Sequence, residues 1–454
     1  VEPITLSQLH GHSNRFSGKT ICILDENFDL AYIEPVATRR EVAARVGSPN
    51  DMKSGSEPSV ESLIERIGSS LAGALGDLLA SIPGTSTRPQ SLAKSLSLNT
   101  VMTSRLLKAT RSDDPMAVVH ALPGPEPLRR FIRAAAKRNA SPPLVERAER
   151  AIESFEQLIR EEGDRGTLDA IIGGWRPDVK EKTETQAKQL MFRGASQLFG
   201  TLQEVDLATA VLTPNRDDPT RVDLIWIKGS IGLRRLRVGA DMKLGVHALA
   251  ESAHPLRTFD GGQADTLPGL LLEPFCTKPL PTINKIEGDR RTEYTVSGGA
   301  VGSRSTVDIV YGIVIEGALA RHRGPEDAPR TTGVATAIGV PSRVLVFDVL
   351  VDAGLFARQS PSPLIYRTVF AGLANPNDPS RDIDRLDTGE TVRPLGIGID
   401  RFRSAEVPNY LDMLRLLCDK RGIDGTSLRG YRCRIECPVY SSQIGLAFDL
   451  PVRP

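Results

Sequence analysis

The chain has 454 residues, 40% hydrophobic and 25% charged, with a formal net charge of +1. That length exceeds what one compact core usually holds, so two or three domains are expected of an ordinary soluble protein. No run approaches the roughly 18–20 consecutive apolar residues of a membrane helix, Ile21–Leu24 is too short for a signal-peptide core, and five cysteines, an odd number, make no disulfide framework. Neither secretion nor membrane insertion is expected on this reading; a reducing cytoplasm is.

Residues 1–57 carry little periodic signal. Ile21–Leu24 and Leu30–Ile33 are candidates for a short hairpin, and the Gly-, Ser- and Pro-rich run Val46–Pro58 reads as a flexible linker. From Pro58 to about Lys188 the chain reads as helical. Val60, Leu63, Ile64, Ile67, Leu71, Leu75, Leu78 and Leu79 recur at three- and four-residue spacing, and Ile82-Pro83-Gly84 supplies a stop. Two short helices are expected over Pro89–Leu96 and Thr100–Thr110, then one from Pro115 to about His120 and one over Glu126–Arg138. Ser141-Pro142-Pro143 opens Leu144–Glu162, whose apolar stripe suits either a dimer surface or packing within the monomer. A last helix is expected over Glu181–Phe199, interrupted or capped near Gly194 or Gly200.

Beyond Gly200 the pattern changes to strands and turns. Val222–Lys228, Thr306–Ile315, Arg343–Val351, Leu364–Phe370 and Arg432–Val439 are short and rich in Val, Ile and Tyr, with Gly, Pro, Asp or Asn between them. Pro408–Arg421 reads as a helix, and His322–Arg330 and Asn375–Asp387 as polar loops. Arg234, Arg235 and Arg237 follow a strand and suit a charged hairpin or edge better than an anion site.

Conventional chemical motifs do not assemble. The six histidines are scattered, and His247 and His254, with Glu251 between them, lack the spacing of a zinc protease. Cys433 and Cys437 have no second pair to complete a zinc site, so Cys418, Cys433 and Cys437 read as buried free thiols. Residues 298–303, GGAVGS, are followed by no Lys-Ser/Thr of a phosphate loop, and no G-x-S-x-G elbow occurs. No enzyme, cofactor or metal is expected.

The strongest signal is Pro89–Lys108, PQSLAKSLSLNTVMTSRLLK. Leu92, Ala93 and Leu96 share one face of the first helix, and Val101 or Met102, with Leu106 and Leu107, can pack back from the second. Asn99 is a good N-cap for the second helix. The segment resembles the helix-turn-helix of bacterial transcription regulators through Leu92-Ala93, Leu98 and Leu106-Leu107. Ser97 stands where that turn usually has Gly, and Thr103 where it usually has a buried Val or Ile. The resemblance implies that Thr100, Thr103, Ser104, Arg105, Lys108 and Arg111 contact DNA. From Arg88 to Arg138 ten basic residues stand against three acids, the excess that phosphate contacts need.

The expected architecture is multidomain α+β. It comprises a flexible segment over 1–57, a helical helix-turn-helix domain over 58–140, connecting helices with a candidate dimer surface over 141–200, and a β-rich sensor or interaction domain over 201–454. The expected function is a DNA-binding transcriptional regulator that binds double-stranded DNA as a homodimer and responds to a small molecule or protein effector, with no membrane partner. The alternatives are a protein-interaction or scaffold component whose helical domain docks a partner, and an enzyme whose residues converge only in three dimensions.

Overall fold

A computed structural model describes residues 59–84, 88–244, 257–264, 266–287, 292–357, 359–369 and 371–453. The expected hairpin within 21–33, the linker 46–58, His10, His12, His247 and His254 lie outside the described residues. The chain is α+β and divides into two compact units, one ending at Gln186 and one running from Ala187 to the end.

The first unit is helical. It contains α1 (Val60–Ser81), α2 (Pro89–Leu96), α3 (Thr100–Ala109), α4 (Pro115–Ala121), α5 (Pro125–Ala136), α6 (Pro142–Glu161) and α7 (Arg165–Gly173), and α8 (Pro177–Phe199) runs on into the second unit. Start signals are chemical. Ser59, Asn99, Asp114 and Asp164 cap α1, α3, α4 and α7 through side-chain oxygens, and Pro occupies the first turn of α2, α4, α5 and α6, where its missing N–H costs nothing. The apolar stripe of α1 is buried against α4 and α6. Gly68 permits the approach to α4, because a Cβ there would lie 2.2 Å from the carbonyl oxygen of Pro115.

Three details sharpen or add to the sequence expectation. Ala148, Ala151, Ile152, Phe155 and Leu158 of α6 are buried in the helical core, so the stripe proposed as a dimer surface packs within the monomer. Helix α7 was not anticipated: it is nine residues long, begins at Arg165-Gly166 and ends at Gly173, too short and glycine-rich for periodicity to reveal. Helix α8 begins at Pro177 and passes through Gly194 without interruption. Gly200, at φ +71°, turns the chain into the first strand.

The second unit is built on a six-stranded sheet. Its strands are β1 (Thr201–Pro214), β2 (Arg221–Arg235), β6 (Val307–Ala320), β8 (Ser342–Val351), β10 (Arg393–Ile397) and β11 (Arg429–Glu436), in the order β10-β11-β8-β1-β2-β6. Within this sheet β1 and β8 pair in parallel and the other described neighbours pair antiparallel. β7 (Thr331–Ala337), β12 (Ser442–Asp449) and β9 (Ser362–Arg367) form a second sheet, and β3 (Met242–Leu244), β5 (Thr292–Val296) and β4 (Ile283–Glu287) a third.

Alternation along β1 sends Ala208, Ala210 and Leu212 into the core shared with Ile444, Leu446 and Phe448 of the second sheet. Leu207 and Val211 face the opposite way, into the core that holds Tyr410, Met413 and Leu417 of α9 (Tyr410–Arg421). Buried on both faces, β1 and β8 show a continuous apolar character rather than a clean period of two.

Beneath α9 lies a satisfied polar network. The Arg432 Nε and Nη2 donate to Asp348 Oδ1 and Oδ2 at 2.7 and 2.8 Å, and the Tyr410 hydroxyl donates to Asp348 Oδ2 at 2.7 Å. Arg432 also donates to the carbonyl oxygens of Phe402 and Arg403. Burial pushes the Asp348 carboxyl up, and hydrogen bonds from Arg432 and Tyr410 oppose that shift by favouring the ionised form. Arg235 is likewise buried, donating to the carbonyls of Ala240 and Val296, and Arg234 pairs with Glu204. Arg234 and Arg235 are therefore committed to the fold, while Arg237 is exposed. Cys276, Cys418, Cys433 and Cys437 are free and buried, with the Cys418 and Cys433 thiols pushed up by burial to about 11 and about 12. No helix among the described residues is long and apolar enough to cross a membrane.

Candidate nucleic-acid interface

Helices α2 and α3 are joined by Ser97-Leu98-Asn99. Ser97 adopts the left-handed conformation, φ 52° and ψ 43°, and the Leu98 N–H donates to the carbonyl of Ala93 at 2.9 Å. This is the position where Gly would carry no Cβ penalty. Asn99 then caps α3, its Oδ1 accepting from the Val101 N–H at 2.7 Å. Leu92, Ala93 and Leu96 of α2 are buried, as are Met102, Leu106 and Leu107 of α3.

The inner face of α3 corrects one expectation. Thr103 is 0% exposed, so it is removed from the residues able to meet an external ligand. Its hydroxyl donates toward the carbonyls of Pro89 and Thr100, both 3.0 Å away. A Thr fills the site where an aliphatic residue was expected because its hydroxyl finds backbone acceptors within reach.

The outer face carries Thr100, Val101, Ser104, Arg105 and Lys108, all exposed, and Arg111 is exposed just beyond the helix. Arg105 is nevertheless partly committed. Its Nε and Nη2 donate to the carbonyls of Ala121 and Leu122 at 2.8 and 2.9 Å, at the end of α4. Arg165 binds the carbonyls of Val119 and His120 beside them. Two guanidinium groups thus neutralise the negative end of α4 and tie it to α3 and α7. Burial, with Arg165 close by, lowers the affinity of Arg105 for its proton. It remains cationic and acts first as a positioning residue.

The fold also redistributes the basic excess. Arg129 pairs with Glu156 of α6, and Arg133 and Arg130 approach Glu126 at 2.8 and 3.7 Å. The α5 arginines are therefore largely offset by carboxylates. The stretch around α2 and α3 holds no carboxylate of its own: residues 78–112 contain five basic residues and no Asp or Glu. Arg138 adds to them by donating to the carbonyl of Ser95 on α2.

Val101 was the ambiguous position in sequence, and it is 68% exposed while Met102 turns inward. Spacing from the cap contains the answer. Met102, Leu106 and Ala109 follow the inner i, i+4, i+7 row, whereas Val101, Ser104 and Lys108 follow the outer i, i+3, i+7 row.

The second unit holds a cluster that sequence motifs did not expose. Asp206 on β1 and Lys228 on β2 are diagonal neighbours across an antiparallel pair. Lys228 Nζ donates to Thr336 Oγ1 of the second sheet and lies 5.2 Å from the Trp226 ring centroid. Gln203 Nε2 donates to Ser342 Oγ at 2.8 Å, while the buried Gln203 Oε1 has no partner. Burial pushes the Asp206 carboxyl up to about 6 against the opposing pull of Lys228, and it pushes the Lys228 ammonium down. Asp206 and Lys228, on different strands, come near each other here only because β1 and β2 pair in this register.

The chain matches no protein-family model, no curated protein and no solved structure in the comparisons with known proteins.

Proposed function

We propose that α2 and α3 form a DNA-binding helix-turn-helix, with α3 the recognition helix, and that the protein is a transcriptional regulator acting in the cytoplasm on double-stranded DNA. The observation that carries this reading is the pairing of geometry with charge. A left-handed turn and an Asn cap set α3 against α2, and its outer face presents hydroxyl, apolar and ammonium groups in a segment free of carboxylates from residue 78 to 112. Thr100 and Ser104 are suited to base edges and Lys108 and Arg111 to phosphates. Arg105 ties α3 to the end of α4 and acts as a positioning residue. A homodimer would place two such helices one DNA turn apart, and the second unit would receive a small-molecule or protein effector.

The test is binding of the full chain to duplex DNA by fluorescence anisotropy at about 50 and about 200 mM salt. Steeply salt-dependent binding, weakened by Lys108→Glu with an unchanged melting temperature, is the expected result. Absence of binding, or binding indifferent to both salt and Lys108→Glu, would remove the reading.

A further inference from the structure

We propose that Val101 reads the C5-methyl group of a thymine, so that the DNA sites this protein selects require an A·T pair at one position under the start of α3. The inference rests on the DNA-binding reading above and sharpens it to a base preference.

The side chain is mostly exposed. At 68% exposure it contributes little to the core, which the neighbouring Met102 fills instead. A β-branched residue near the start of a helix also brings no gain in helix propensity. Val101 opens the outward row, next to Thr100 and about one helical turn from Ser104 and Arg105. Seven residues further on, at about 1.5 Å per residue, Lys108 stands some 10 Å along the axis. That separation is suited to a helix whose first turn enters a groove while its last turn meets the phosphate wall.

The charge of the surrounding segment favours one kind of occupant for this face. The five basic and no acidic residues over 78–112 favour a polyanion and disfavour an acidic-and-basic protein surface of mixed sign. Against a polyanion with bases exposed in its major groove, an isopropyl group flanked by hydroxyls has one apolar partner. Thymine alone presents a methyl group on that edge. Cytosine and the purines would leave the valine against polar atoms.

The experiment uses duplexes selected by the full chain from a randomised double-stranded library. In the best duplex each thymine is replaced in turn by deoxyuridine, which removes only the methyl group, and wild type and Val101→Ser are titrated against every version. One replacement should weaken wild type about fourfold, the equivalent of one buried carbon, and should leave Val101→Ser nearly unaffected. If wild type binds DNA but every replacement affects wild type and Val101→Ser alike, the thymine inference is overturned while DNA binding stands. If the full chain selects no duplex at all, both fall together. Thermal melts of Val101→Ser should match wild type, since the residue supports no buried contact.

Discussion

The hydroxyl of Thr103 on α3 lies 3.0 Å from the carbonyl oxygen of Pro89 at the start of α2. One buried side chain thus links the inner face of the second helix to the first turn of the first, and the same oxygen reaches the carbonyl of Thr100. Thr103 is part of what makes α2 and α3 a unit rather than part of what that unit touches.

Thr103→Ala should therefore act on stability. Losing the hydrogen bond and two buried heavy atoms should cost about 1–3 kcal/mol. Urea unfolding would show it as a lower midpoint with an unchanged slope. Any DNA affinity, corrected for the folded fraction, should keep its salt dependence.

Ser97 carries a Cβ at φ 52°. Ser97→Gly should relieve that penalty and raise stability by about 0.5–1 kcal/mol, after allowance for the extra freedom of glycine in the unfolded chain. A β-branched substitution, Ser97→Val, should lower it by more. Paired thermal melts of the two variants would separate them by sign.

Arg105 and Lys108 lie three residues apart and should respond differently. Arg105→Ala leaves the carbonyls of Ala121 and Leu122 without their guanidinium partner, so it should destabilise the helical unit by about 1–2 kcal/mol. Lys108→Ala should leave the melting temperature nearly unchanged and reduce the salt slope of DNA binding by about 0.9, one phosphate contact. A fall in melting temperature for Lys108→Ala, or none for Arg105→Ala, would contradict this division.

Asp206 should give the second unit a pH dependence of defined sign. Its folded value is pushed up to about 6, above the ordinary carboxylate value of 3.8. Between those values the native state holds the proton more firmly than the unfolded chain does. This contribution to stability is complete below about pH 4 and is lost as the pH rises through about 6. Asp206→Asn should flatten that part of the stability curve, measured by urea unfolding at half-unit pH intervals from about 4 to about 7.5. The wild-type curve retained intact in Asp206→Asn would exclude Asp206 as its origin.

Several elements were legible from local chemistry. The stripe of α1, the proline starts of α2 and α4, and the Asn99 cap depend on neighbours within one or two helical turns. The strands β2, β6, β8 and β11 announced themselves through Val and Ile runs, although β1 was not singled out. Its apolar positions serve both faces of the sheet, which erases the alternation that marks a half-exposed strand. Over one turn Val101 and Met102 fit a helical stripe equally well, and only the longer row through Leu106 and Ala109 selects Met102 as the inward residue.

By itself the sequence determined the α+β class, the change from helices to strands near Gly200, and the two-helix segment with its basic excess. These follow from periodicity, capping chemistry and composition, all of which act over short stretches of chain. Only the tertiary structure decided that Thr103 faces inward, that Arg105 binds the end of α4, that Glu156 offsets Arg129, and that Asp206 meets Lys228. Each of those outcomes joins groups on different helices or strands. Distance in space, rather than spacing in sequence, sets their burial and their charge.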